Sequence, residues 1–152
     1  MMVEEINKRP VISEEAKKAL YQMYLERIKK RKMISLGKCK SFWEFLIKVA
    51  IMTTIEFLAE KGFTRWEAYR YCNFVKFIIA HTRKYGKEYL DYYMDIAEKK
   101  FPAEYNLDPE IIKELEFLVI DILNNIPKLM KEYARYKEWY ESYCEKIKRK
   151  WR

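Results

Sequence analysis

The sequence predicts an all-α fold, a single-domain bundle of four to six helices. Three observations lead to this class: turn-forming residues are scarce, helix-start patterns recur, and the C-terminal part carries an unbroken apolar repeat. Only 3 glycines and 4 prolines occur in 152 residues, which leaves few positions for the tight turns that join β-strands. A chain of this length buries about 68–70% of its unfolded surface in one core, so we expect residues 1–152 to form one helical domain.

The first predicted helix begins after Ser13, which is a suitable N-cap, and ends before Gly37. The second opens with a capping box, Ser41 and Glu44, and Gly62 closes it. Because this second helix is apolar around most of its circumference, we expect it to be the central element of the bundle.

A second capping box, Thr64 and Glu67, begins the third helix. Its apolar positions keep helical spacing through Gly86, so either one helix runs to Phe101 or the helix bends at that glycine. Pro102 is expected to end it. The predicted apolar positions are Val75, Ile78, Thr82, Tyr85, Tyr89, Tyr92 and Ile96.

The sharpest helix start is Asp108 as the cap with Pro109 at the first helical position, and Leu107 placed to pack on Ile112. From there apolar residues alternate by three and four up to Ile147. Pro127 removes one backbone donor, which predicts a kink or a reversal in this long segment. Residues 109–126 are expected to be bundle core, whereas residues 127–152 either project or fold back.

The net charge of +8 arises from an excess of basic residues at the two ends of the chain. Residues 1–40 carry 11 basic and 5 acidic side chains, residues 127–152 carry 9 and 4, and residues 41–126 carry 11 and 14. Basic ends of this kind attract phosphate backbones through counterion release, although a solvated lysine surface accounts for them equally well. The candidate nucleic-acid-binding residues at the ends are Lys29, Lys30, Arg31, Lys32, Lys146, Lys148, Arg149, Lys150 and Arg152.

An aromatic seam follows Pro127, and three interpretations of it stay open. Its rings could stack on exposed bases, pair with a second copy or another helix, or pack on their own domain. The seam, which is also the candidate partner-binding set, comprises Tyr133, Tyr136, Trp139, Tyr140 and Tyr143.

Neither a catalytic residue nor a metal ligand is predicted. The single histidine, His81, lies on a mostly apolar helix surface and has no metal-binding partner at helical spacing, so we interpret it as structural. Four carboxylates share one helix face and are interpreted as a solvated stripe rather than a cation site, which normally draws ligands from several elements. They are Glu88, Asp91, Asp95 and Glu98.

Residues 62–72 resemble the turn and recognition helix of TetR-type helix-turn-helix repressors, which often carry a tyrosine pair at the positions of Tyr69 and Tyr71. The chain departs from that pattern at Leu58, where such motifs favour a small residue. The resemblance implies that four residues approach the DNA groove and backbone: Thr64, Arg65, Trp66 and Arg70.

Three widely spaced cysteines indicate reduced thiols, and the acidic, non-apolar start predicts no signal peptide, so we expect a cytoplasmic protein. No stretch is long and apolar enough to predict a membrane span. Abundant Lys, Glu, Ile and Tyr with a single glutamine are typical of a thermophilic archaeon or its viruses and plasmids.

The leading functional hypothesis is a non-enzymatic, DNA-binding or otherwise nucleic-acid-associated protein that uses its basic ends and needs no cofactor. The alternative is a helical interaction or assembly protein, as a homo-oligomer or with a helical partner, that uses the aromatic seam. An enzyme is the third and least supported possibility.

Overall fold

The computed structural model describes residues 37–151 together with Gln22. These residues form an all-α bundle with no strands. The five α-helices of the described range are α1 Phe42–Glu60, α2 Arg65–Tyr85, α3 Leu90–Tyr105, α4 Pro109–Asn124 and α5 Ile126–Lys150, and a 3-10 turn, Lys87–Tyr89, lies between α2 and α3. The first helix predicted from the sequence lies outside the described residues.

The predicted helix starts are confirmed at α1, α2 and α4. Thr64 and Glu67 form a reciprocal capping box, and the Asp108 carboxylate accepts the backbone N–H of Glu110. At α1 the box is shifted by one residue, because the Glu44 carboxylate accepts the N–H of Lys40 at 2.8 Å rather than that of the cap. Leu107 and Ile112 are both buried in the main core, as the predicted staple requires.

The third predicted helix is divided at Gly86, which has φ +87° and ψ 165°. This backbone conformation is accessible essentially to glycine alone, so the helix cannot continue through it. The Tyr93 hydroxyl joins the two sides of the break, since it lies 2.6 Å from the Thr82 hydroxyl and donates to the carbonyl of Gly86 at 3.1 Å.

The break changes which face of α3 is buried, and the predicted apolar face is wrong beyond Thr82. A continuous helix would have turned Tyr89, Tyr92 and Ile96 inward, but all three are exposed, as is Tyr85 at the end of α2. The helix that begins at Leu90 turns a different set of residues toward the core. Its buried residues are Tyr93, Met94, Ala97 and Phe101.

Pro102 does not end α3, contrary to the prediction, and the helix runs to Tyr105. The proline sits in the last turn, where the missing N–H costs one bond. The carbonyls of that turn find other donors: the N–H groups of Asn106 and Leu107 bond to the Pro102 carbonyl, and the Arg70 guanidinium bonds to that of Tyr105.

Pro127 marks a change of helix at Asn125. The proline occupies the first turn of α5, where its missing N–H is tolerated, so the predicted interruption is confirmed. The main core lies between α1, α2, α3 and α4. Among the described helices α2, rather than the more apolar α1, has the most extensive contacts, because α1, α3 and α4 all pack on it.

Candidate functional site

The first half of the aromatic seam is part of the protein's own core. Tyr136 is 1% exposed and packs with Phe45 and Val49 of α1 in a second, smaller cluster. Tyr133 is half-buried beside it, with its ring centroid 5.2 Å from that of Phe45. Of the three interpretations of the seam, packing on its own domain therefore holds for these two tyrosines.

Their hydroxyls tie α5 to the segment that precedes α1. The Tyr136 hydroxyl donates to the carbonyl of Gly37, and the Tyr133 hydroxyl donates to that of Cys39 at 3.3 Å. Burial raises the pKa of Tyr136 well above its ordinary value, so this hydroxyl stays a donor at all moderate pH.

The second half of the seam is only partly covered. Trp139, Tyr140 and Tyr143 are half-buried. The rings of Trp139 and Tyr143 stack on each other, 5.2 Å apart and 11° from parallel. Tyr140 hydrogen-bonds to Cys144, which raises the pKa of the phenol. This stretch is the transition between core and surface.

Beyond Cys144 the helix is exposed on every side. All residues from 145 to 151 are exposed, and Trp151 is 83% exposed. Within this stretch lie four of the predicted nucleic-acid-binding residues, Lys146, Lys148, Arg149 and Lys150. We call residues 145–151 the basic tip.

Arg65 and Arg70 do not join the basic tip. They begin α2, next to the C-terminal end of α1, whereas α5 contacts the N-terminal end of α1 through Tyr133 and Phe42. Arg65 lies over the Tyr69 ring, 5.8 Å from its centroid. Arg70 donates to the Tyr105 carbonyl at the C-terminal end of α3, so its guanidinium is engaged within the fold.

The remaining predicted basic residues, Lys29, Lys30, Arg31, Lys32 and Arg152, lie outside the described residues. No helix in the described part of the chain is both long and apolar enough to span a bilayer. Within residues 37–151 no three His, Cys, Asp or Glu side chains converge as metal ligands.

A second surface feature, which the sequence interpretation missed, is an aromatic cleft of about 420 Å³. Phe77, His81 and Tyr85 of α2 form one side, and Tyr89, Tyr92, Tyr93 and Ile96 form the other. We call it the tyrosine cleft. Residues 85, 89, 92 and 96 stand at helical spacing in the sequence, but that spacing predicts a buried stripe rather than an exposed cleft.

His81 is half-buried at the tyrosine cleft. Its Nδ1 lies 2.8 Å from the Phe77 carbonyl, an obligate acceptor, so Nδ1 carries a proton and donates it. The imidazole also packs against the Phe77 ring, with centroids 3.9 Å apart and ring planes 30° from parallel. These contacts fix the histidine as part of the cleft wall.

Three thiols occur among the described residues, and none forms a disulfide. Cys72 is fully buried, and desolvation raises its pKa to about 11. Such a thiol is a poor nucleophile near neutral pH, because the reactive thiolate is scarcely populated.

Neither a protein-family model, nor a curated protein, nor a solved structure matches this chain.

Proposed function

We propose that the protein is a non-enzymatic nucleic-acid-binding protein whose basic tip contacts the phosphate backbone. The observation that carries the proposal is the exposure of residues 145–151 on every side of the helix, four of them cationic. A helix usually buries one face, and this stretch contributes little to the core. Its four cations are therefore available to a phosphate backbone.

Charge composition supports a polyanion as the ligand. Glu145 is the single acidic residue between positions 145 and 151. Each cation that neutralises a phosphate releases a condensed counterion, which favours binding without reading the base sequence. The exposed Trp151 adds an aromatic face on which an unpaired base can stack. The expected activity is binding to DNA with little sequence preference.

The test is electrophoretic mobility of labelled double-stranded DNA, and of single-stranded RNA, titrated with the full chain at about 50 mM salt, where electrostatic contacts are strongest. We expect retarded DNA at micromolar protein. A variant with Lys146, Lys148, Arg149 and Lys150 all changed to Gln should lose most of the shift.

A matched control removes the same charge elsewhere. Four exposed cations on α2, α3 and α4 change to Gln in this control: Lys76, Arg83, Lys99 and Lys113. It should bind nearly as the parent protein does. Absence of any shift in the parent, or equal loss in both variants, contradicts the proposal, provided that circular dichroism shows both variants folded.

A second candidate function is helix-mediated assembly, and one observation favours it. The apolar stripe of α5 continues past the core at spacings of three and four, through Tyr140, Tyr143, Ile147 and Trp151, and its last two members are exposed. Such a stripe can pair with a second copy of the same helix. Light scattering should then show an oligomer that Ile147→Glu plus Trp151→Glu dissociates. A monomer at all concentrations contradicts this candidate while leaving the first intact.

A further inference from the structure

Several solvent-exposed tyrosines are clustered at the tyrosine cleft. Tyr85, Tyr89 and Tyr92 are 51%, 58% and 70% exposed and surround one cavity rather than being scattered. Isolated exposed apolar residues need no explanation, but a clustered set around a concave site indicates binding.

The Tyr93 and His81 side chains of the tyrosine cleft are held in place by internal hydrogen bonds. The Tyr93 hydroxyl bonds to Thr82 and Gly86, and the His81 Nδ1–H bonds to the Phe77 carbonyl. The two rings are therefore oriented without a ligand. A preformed site loses little conformational freedom on binding, which favours affinity for a small molecule.

The walls are electron-rich ring faces that attract cations. Two ammonium groups of the protein already lie over them: Lys84 Nζ is 5.2 Å from the Tyr85 ring centroid, and Lys100 Nζ is 5.5 Å from that of Phe77. Cation–π attraction operates at such distances and increases when the cation is desolvated. The walls consequently suit a positively charged guest.

Carboxylates on one side of the tyrosine cleft also favour a positively charged ligand. Three exposed carboxylates are next in sequence to cleft residues: Glu88 precedes Tyr89, Asp91 precedes Tyr92, and Asp95 precedes Ile96. These carboxylates attract cations and repel phosphate-bearing ligands.

We propose that the tyrosine cleft is a binding site for a small organic cation, specifically a methylated ammonium group carried on a short chain. A methylated ammonium sheds its hydration at lower cost than a lysine ammonium and fits aromatic cages. The cavity volume lies within the range of small-molecule sites, which accommodates the group together with its chain. This proposal does not depend on nucleic-acid binding by the basic tip.

The test compares choline with 3,3-dimethyl-1-butanol, a neutral molecule of nearly the same shape, by NMR titration of the full chain. We expect choline to bind about tenfold more tightly, since the two differ in charge alone at the aromatic walls. Chemical-shift changes should concentrate on Tyr85, Tyr89 and Tyr92.

A matched pair of variants locates the site. Tyr92→Leu removes one exposed wall and should weaken choline binding about tenfold, whereas Tyr69→Leu, at an exposed tyrosine outside the cleft, should leave it unchanged. Both are surface substitutions, and thermal melts verify that they fold.

Three results overturn the proposal. They are equal affinity for choline and the neutral alcohol, no binding of choline at millimolar concentration, and adenosine binding more tightly than choline. The last result would identify the cleft as a stacking site for planar bases instead.

Discussion

The Lys87 ammonium lies 3.5 Å from the carbonyl oxygen of Leu123, whose usual helical donor is missing because residue 127 is a proline. In an α-helix the N–H of residue 127 would bond to the carbonyl of residue 123, and proline has no N–H. The same ammonium is 3.1 Å from the Asn124 side-chain oxygen. Lys87, in the turn after the break at Gly86, thus supplies the hydrogen-bond donor that is missing near Pro127. This contact links the two places where the helices are interrupted.

Removing this ammonium should destabilise the bundle modestly. Lys87→Met keeps the length of the side chain and deletes the charged donor. We expect the free energy of unfolding in urea to fall by about 1 kcal/mol, because the bonds are charge-assisted but partly solvated. Lys84→Met, at a lysine that only overlies an exposed ring, should change it by less than about 0.5 kcal/mol.

A double-mutant cycle tests whether Pro127 is the reason for the Lys87 contact. Pro127→Ala restores an N–H near the Leu123 carbonyl, so the cost of Lys87→Met should be smaller in that background. Equal costs in the two backgrounds would show that the lysine and the proline act independently.

The break at Gly86 should depend on the absence of a side chain. A Cβ at this position has room, since its nearest neighbour would be Glu88 Oε1 at 3.7 Å, so steric crowding is not the issue. The cost of Gly86→Ala comes instead from the backbone conformation and should be about 1–3 kcal/mol. Chemical denaturation measures it, and an unchanged or raised stability would refute a glycine requirement at this turn.

Tyr136 should be the most sensitive position of α5. Tyr136→Ala removes a fully buried ring and should cost about 3–5 kcal/mol. Tyr136→Phe keeps the ring and loses only the bond to Gly37, so about 1 kcal/mol is expected. Trp151→Ala serves as the control because the indole is exposed, and a cost comparable to that of Tyr136→Ala would contradict the assignment of core and tip.

Alkaline pH should destabilise the protein through Cys72. Its thiol has a pKa of about 11 in the folded chain against an ordinary value of 9.0. Below pH 9 both states are protonated and the full stability is present. Between pH 9 and 11 only the unfolded chain ionises, so stability falls by up to about 3 kcal/mol. Cys72→Ala should flatten this part of the stability curve in denaturation series at pH 8 to 11, and an identical slope would exclude the thiol as the cause.

Local chemistry explains which parts of the fold could be predicted. The helix starts at Ser41, Thr64 and Asp108 depend on hydrogen bonds within one turn of chain, so residue type alone reveals them. The inward face of α3 could not be read in the same way. The buried face depends on how the break at Gly86 rotates α3 relative to α2. The spacing of apolar residues in the sequence does not reveal that rotation.

The candidate sites also differ in whether residue type alone could predict them. Exposure of the basic tip follows from a run of cations, which few cores accommodate. The burial of Tyr136 and the bond from Arg70 to the Tyr105 carbonyl depend on which helices meet, and charge and aromatic content do not specify those meetings. The tyrosine cleft could not be predicted because its residues have the helical spacing that is typical of a buried stripe.

The dependence of DNA affinity on salt tests the role of the basic tip most directly. Fluorescence anisotropy gives the binding constant of a labelled duplex between about 50 and 200 mM salt, and the logarithmic slope counts the phosphates neutralised. For the variant with Gln at positions 146, 148, 149 and 150 we predict a slope shallower by about 3 to 4 than that of the parent. The matched variant with Gln at 76, 83, 99 and 113 should keep the parent slope. Equal slopes for the parent and the tip variant would contradict the proposal that the basic tip binds nucleic acid.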